Sequence, residues 1–335
     1  LNRETEELGE FELIGRFFTR GGRAAQGAEP GADGVLLGIG DDAALLRVPP
    51  NSDLVAAVDT IVAGRHFLDD ADPEAIGHRA LAVNLSDLAA MGATPAWATL
   101  ALTLPRADAR WLTDFSRGLF ALADRYEVAL VGGDTSRGAL TISLQLLGFV
   151  PVGSALRRGG GRAGDLLAVT GSLGDAGAGL ALAQGRIQCP DAVATAALRR
   201  RFDYPTPRVE FGRLARDLAS AAMDLSDGLV ADLPKLAHAS RLQARVDVGR
   251  LPLSPALRAL GLPDADIQNW ALGAGDDYEL LLALPREHQG RLEEAAVRCG
   301  VELSVIGELV PGAGVHWTRH GAPYVPSATG YDHFR

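Results

Sequence analysis

Short apolar runs alternate with helical patterns along the whole chain, and every apolar run is brief. Residues 35–39, 54–61, 96–104 and 140–150 are β-prone or apolar and read as strands, while 72–91 and 107–126 between them carry helical patterns. An alternation of this kind folds as layered α/β structure. Pro151-Val152-Gly153 and the glycine- and arginine-rich residues 157–164 interrupt it, and residues 165–170 start a second alternating set. With 335 residues, 47% of them hydrophobic, the chain is long enough for two cores. The expected division is 1–150 and 151–335, each half α/β. Residues 11–18 read as a short amphipathic helix, and the aperiodic Gly/Ala/Arg stretch 21–34 is expected to be mobile.

Charge and composition narrow the function. No apolar run approaches the roughly 18 residues of a membrane span, and Leu1-Asn2-Arg3-Glu4-Thr5-Glu6 lacks the apolar centre of a secretory signal. Cys189 and Cys299 stand far apart without metal-type spacing, so neither a disulfide framework nor a zinc site is expected, and a cytoplasmic protein fits. A formal charge of −10 disfavours nucleic acid as a partner. It does not disfavour nucleotides, because divalent cations can stand between carboxylates and phosphates. Lys235 is the only lysine. A Walker-type Gly-x-x-x-x-Gly-Lys-Ser/Thr loop and the strand lysine of protein kinases are thereby excluded, and phosphoryl chemistry would rely on metals and arginines.

Aspartates interrupt apolar segments repeatedly. Gly38-x-Gly40-Asp41-Asp42-x-x-Leu45-Leu46 and Gly273-x-Gly275-Asp276-Asp277-x-x-Leu280-Leu281 share one pattern, read as the same device used once in each half, two carboxylates at a glycine turn. Asp59 breaks the run 54–62, either as a hydrogen-bonded structural group or as a metal ligand. Asp87 lies on an all-round apolar helix, three residues after Asn84 and on the same face; a cation or a neighbouring helix would answer them. Asp134 follows Gly132-Gly133, which is either a common tight turn or a place where a ligand meets backbone. Asp224 and Asp227 sit where a strand runs into a helix; Ser226 or Asp227 could cap that helix, which leaves Asp224 unexplained. Arg157, Arg158 and Arg162 flank Gly159-Gly160-Gly161 as phosphate contacts or as a solvated linker. Residues 170–179 read as a weak phosphate loop or as helix packing through small side chains. Together these aspartates offer hard oxygen ligands suited to magnesium, manganese or calcium.

As an ordered set the motifs resemble the thiamine-monophosphate kinase family, within the group that includes aminoimidazole ribonucleotide synthetase, selenophosphate synthetase and the hydrogenase-maturation dehydratase. The resemblance rests on Gly38-Ile39-Gly40-Asp41-Asp42, Val58-Asp59-Thr60 with Gly64-Arg65-His66-Phe67, residues 82–93, Gly132-Gly133-Asp134-Thr135, Asp224-Leu225-Ser226-Asp227-Gly228, Gly275-Asp276-Asp277-Tyr278-Glu279 and Gly330-Tyr331-Asp332-His333-Phe334. It implies a two-domain synthetase-like fold: an N-terminal α/β domain that binds ATP and magnesium and closes a β-barrel across a homodimer, and a C-terminal α/β domain that completes the site. It implies ATP-dependent phosphorylation of thiamine monophosphate with several Mg2+ ions. Asp42, Asp59, Asp87, Asp134, Asp224 and Asp227 would hold metal, Asp42, Asp59, Asp87 and Asp134 being the catalytic set. Gly133, Asp134, Arg158 and Ser226 would meet ATP, and His66, Asp276 and Tyr331 the substrate.

Two departures matter. Ala57 and Val58 stand where relatives often carry hydroxyl residues, so only backbone carbonyls are available there, and Asp276 replaces a common glutamate. The rival readings are an aminoimidazole ribonucleotide synthetase and a non-catalytic nucleotide-binding module. A selenophosphate synthetase would carry a reactive N-terminal cysteine or selenocysteine with a lysine, and the hydrogenase-maturation relative a cysteine-bearing tail.

Overall fold

The computed structural model describes residues 9–19 and 34–331. Residues 20–33 and Asp332, His333 and Phe334 of the terminal motif lie outside the described residues. The chain divides into two compact units, Leu1–Leu88 with Thr94–Gly153, and Ala89–Ala93 with Ser154–Arg335.

In the first unit, helix α1 (Glu10–Leu13) runs into a five-residue π-helical turn, Ile14–Phe18, that buries Phe17 and Phe18. The strands are β1 (Val35–Leu37), β2 (Leu45–Leu46), β3 (Ser52–Val62), β4 (Thr94–Leu104), β5 (Ala129–Arg137) and β6 (Thr141–Pro151), with helices α2 (Pro73–Ala90) and α3 (Ala109–Arg125). β1 and β2 pair antiparallel, and the other four form a sheet in the order β3-β6-β4-β5, in which only β4 and β5 are parallel. The all-round apolar pattern of α2 makes it a buried helix: Leu81, Leu85 and Leu88 are fully enclosed. Asp108 caps α3 by accepting from the N–H groups of Arg110 and Trp111 at 3.0 and 3.2 Å.

The second unit holds β7 (Leu166–Thr170), β8 (Ala221–Asp224), β9 (Gln243–Asp247), β10 (Leu280–Leu284), β11 (Leu303–Val310), β12 (Gly314–Arg319) and β13 (Ala322–Pro323). Its helices are α4 (Asp175–Ala183), α5 (Ala192–Asp203), α6 (Val209–Ala215), α7 (Leu229–Ser240), α8 (Pro255–Arg258), α9 (Asp264–Gly273) and α10 (Gln289–Arg298). One seven-stranded sheet runs β13-β12-β9-β11-β7-β10-β8, antiparallel except between β12 and β9. β7 and β10 are buried along their whole length, which is why they read as unbroken apolar runs. Leu167, Val169, Met223, Leu233, Leu236, Leu281 and Ile306 form the core beside them. Among the described residues no helix is long and apolar enough to cross a membrane.

Candidate functional site

The alternation of β3 places Asp59 with Ala57 and Ile61 on the sheltered face of the strand and Val58 and Thr60 on the exposed one. Helix α2 brings Asp87 into hydrogen-bond contact with Asp59. Burial pushes the Asp59 carboxyl above its ordinary range, and the bond to Asp87 offsets part of that rise. One helical turn before Asp87, Asn84 is wholly buried; its Nδ2 donates to the Ala80 carbonyl at 3.1 Å, while its Oδ1 has no hydrogen-bond partner. A buried, unanswered carbonyl oxygen beside an acidic pair is a donor set for a hard cation.

The remaining first-unit candidates have surroundings of their own. Asp42 is exposed, its N–H donating to Asp41 Oδ1 at 2.8 Å. His66 Nδ1 accepts the N–H of Val62 at 3.1 Å, so the neutral ring carries its proton on Nε2. Gly132-Gly133 is not a tight turn, and Asp134 lies within β5, exposed and paired with Ala101. Gly133 explains the extension. At φ +152° it lets β5 press against β4 so closely that a Cβ there would lie 1.9 Å from the Leu100 carbonyl oxygen.

In the second unit the loop after β8 gathers four candidates. Ser226 accepts the N–H of Asp276 at 2.8 Å through its carbonyl, and Asp227 accepts the N–H of Tyr331 at 2.9 Å in the same way. Asp227 Oδ2 also accepts from Lys235 Nζ at 2.7 Å. Asp276 and Tyr278 both have positive φ, 62° and 49°, and the Tyr278 hydroxyl donates to Asp276 Oδ1 at 3.0 Å. Asp276 is therefore held by its own turn. Asp224 ends β8, 5% exposed, beside Leu280 of β10. The N-cap of α7 is Gly228 with no side-chain cap bond, so neither Ser226 nor Asp227 plays the capping role. Arg158 is exposed, its carbonyl accepting from Ser240 Oγ at 2.9 Å.

The two copies of the Gly-x-Gly-Asp-Asp pattern are not one device. Asp41 and Asp42 are exposed beside β2, whereas Asp277 is 2% exposed and accepts the Gly174 N–H on both oxygens, at 2.9 and 3.1 Å. Asp277 thus occupies the N-terminus of α4, where the sequence allowed a phosphate loop, and the packing reading of residues 170–179 prevails. Gly177 lies against Ala274 and Gly179 against the Leu198 carbonyl. Sequence reasoning missed Glu279, which is wholly buried. It receives Arg201 at 2.8 Å, Arg208 Nε at 2.6 Å and Thr170 Oγ1 at 2.6 Å. The only sequence signal for this clamp is a glutamate at the entrance to an otherwise wholly apolar strand.

Among the described residues no three His, Cys, Asp or Glu side chains form a group that would hold a metal ion by themselves. The structure brings Asp59 and Asp87 together and gathers Ser226, Asp227, Asp276 and Tyr331 around one loop. Two carboxylates and an amide oxygen suit magnesium, which characteristically takes few protein ligands and completes its shell with water and substrate phosphate.

Residues 40–150 match the family described as AIR synthase related protein, N-terminal domain, and residues 162–318 its C-terminal domain. The chain is 47% identical over 327 residues to the thiamine-monophosphate kinase of Escherichia coli O157:H7, covering 97% of this chain and 98% of that one. Among solved structures, the thiamine-monophosphate kinase of Stenotrophomonas maltophilia K279a superimposes with a TM-score of 0.82 at 45% identity, covering 88% of this chain and 93% of that one. AaThiL complexed with AMPPCP and TMP gives 0.76 at 31%, covering 86% and 89%. Shared sequence along nearly the whole length, with the same two-part architecture, makes this chain a member of the thiamine-monophosphate kinase family.

Proposed function

We propose that this chain transfers the γ-phosphoryl group of ATP to thiamine monophosphate, giving ADP and thiamine diphosphate. The observation that carries the chemistry is the contact of Asp59 with Asp87, two acids 28 residues apart in sequence that meet one helical turn from the buried Asn84 oxygen. The substrates follow from the family and from the relative solved with AMPPCP and TMP.

A terminal oxygen of the substrate phosphate attacks the γ-phosphorus, the bond to the β-phosphate oxygen breaks, and ADP leaves. No phosphoenzyme is formed. The attacking oxygen is already ionised near neutral pH, so the protein needs no strong base and contributes alignment and charge neutralisation. Magnesium bound at the acidic residues would supply charge neutralisation for the phosphates. Asp59 and Asp87 would hold it, with Asp42, Asp134, Asp224 and Asp227 as further ligands. Gly133, Asp134, Arg158 and Ser226 meet ATP; His66 offers an Nε2 proton to the substrate side, and Asp276 and Tyr331 line it. Leu54 and Val58, 51% and 64% exposed on the outward face of edge strand β3, give an apolar row that a second copy covers by closing a barrel. We place the reaction in the cytoplasm, where both substrates are phosphorylated metabolites.

The test is mass detection of thiamine diphosphate from thiamine monophosphate, ATP and Mg2+, with unphosphorylated thiamine as control. Product from the monophosphate alone is expected; phosphorylation of free thiamine would change the assignment.

A further inference from the structure

The single lysine of the chain closes a ring around one proposed metal ligand. Asp232, in the first turn of α7, is wholly buried; its Oδ2 accepts the N–H of Asp227 at 3.0 Å and its Oδ1 accepts Lys235 Nζ at 2.8 Å. Lys235 Nζ also donates to Asp227 Oδ2 at 2.7 Å. Asp232 and Lys235 are three residues apart and share a helix face. With the Tyr331 N–H on its carbonyl, Asp227 is fixed through its N–H, its carbonyl and one carboxylate oxygen. Its Oδ1 makes no hydrogen bond among the described residues.

We propose that Lys235, anchored by Asp232, is a positioning residue that pins Asp227 Oδ2 and so presents Oδ1 to a divalent cation in a fixed direction. This rests on reading Asp227 as a metal ligand. The residue type supports it. Every other permanent side-chain cation in the chain is arginine, whose planar fork favours engaging both oxygens of a carboxylate, whereas an ammonium is a compact charge that takes one and leaves the other. A lysine serving only the helix surface would not need its partner carboxylate to be 1% exposed. Groups that orient a metal ligand characteristically affect metal affinity more than fold.

The experiment titrates Mn2+ by electron paramagnetic resonance in the presence of AMPPCP, using wild type, Asp227→Asn, Lys235→Met and the double variant Asp232→Asn/Lys235→Met, with thermal melting of each in metal-free buffer. The double variant removes both charges while the amide introduced at position 232 still accepts the Asp227 N–H, so a folding defect caused by an unpaired buried Asp232 is separated from loss of the pin. Asp227→Asn should lose a Mn2+ site, and both lysine variants should bind at that site about tenfold more weakly. The Mg2+ concentration for half-maximal turnover should rise while kcat at saturating Mg2+ stays near wild type. Wild-type or tighter Mn2+ affinity in the double variant overturns the positioning role alone if Asp227→Asn is impaired. Unaltered binding in Asp227→Asn overturns the ligand reading and the proposal with it.

Discussion

Asp59 is under two opposing demands: it lies on the sheltered face of β3, where burial resists its charge, and the proposed chemistry needs that charge. Its hydrogen bond to Asp87 offsets part of the cost of that burial, and a cation held by the two acids would offset more. Activity and stability should therefore separate. Asp59→Asn and Asp87→Asn are expected to lower turnover by about a hundredfold or more at saturating Mg2+, measured as thiamine diphosphate formed. The Asp59 variant should melt at or above the wild-type temperature in metal-free buffer, because an amide carries no buried charge. Near wild-type turnover in either variant would remove both residues from the catalytic set.

At the scale of elements, Gly133 decides whether β5 exists in its observed form. The extra residue of β5 near Ala98 and Thr99 of β4 is a bulge, and beyond it the two strands approach until Gly133 meets the Leu100 carbonyl. Gly133→Ala should destabilise the first unit by roughly 2–4 kcal/mol in denaturant melts and weaken AMPPCP binding, since Asp134 would move with the strand. A melt unchanged from wild type would show that β4 and β5 can separate at no cost. The same region marks the limit of what sequence conveys. Strands β3, β4 and β6 and helices α2 and α3 were legible because their apolar periods are set locally. Asp59 and Asp87 were legible as acids in apolar elements, where a charge demands a partner. The position of Asp134 inside a strand was not, because Gly-Gly-Asp has the same composition in a turn and in a bulge. Nor was the clamp on Glu279, whose partners Thr170, Arg201 and Arg208 lie 71–109 residues away and are united only by folding.

Across the whole molecule the buried acids are answered differently in the two units. Asp59 has the hydrogen bond to Asp87, Asp232 has Lys235, and Glu279 has two arginines, but Asp277 sits among Asp175 and Glu279 with Arg201 and one backbone N–H to offset them. Burial is the largest influence on Asp277 and raises its carboxyl well above the ordinary range. A carboxyl whose folded affinity for protons exceeds its unfolded one binds more protons in the native state. Its effect on the slope of unfolding free energy with pH is then negative. The native state is undisturbed by this group below about pH 4, the unfolded carboxylate range, and loses stability as pH rises from there towards the raised folded value. Asp277→Asn keeps an acceptor for the Gly174 N–H and carries no titratable proton. Calorimetry from pH 4 to 8 should show the variant gaining on wild type as pH rises, with the gain confined to the transition of the second unit when the two units melt separately. A difference that stays constant with pH, or shrinks, would mean that Asp277 ionises in the folded protein as readily as in the unfolded chain, and that Arg201 and the α4 N-terminus outweigh its burial.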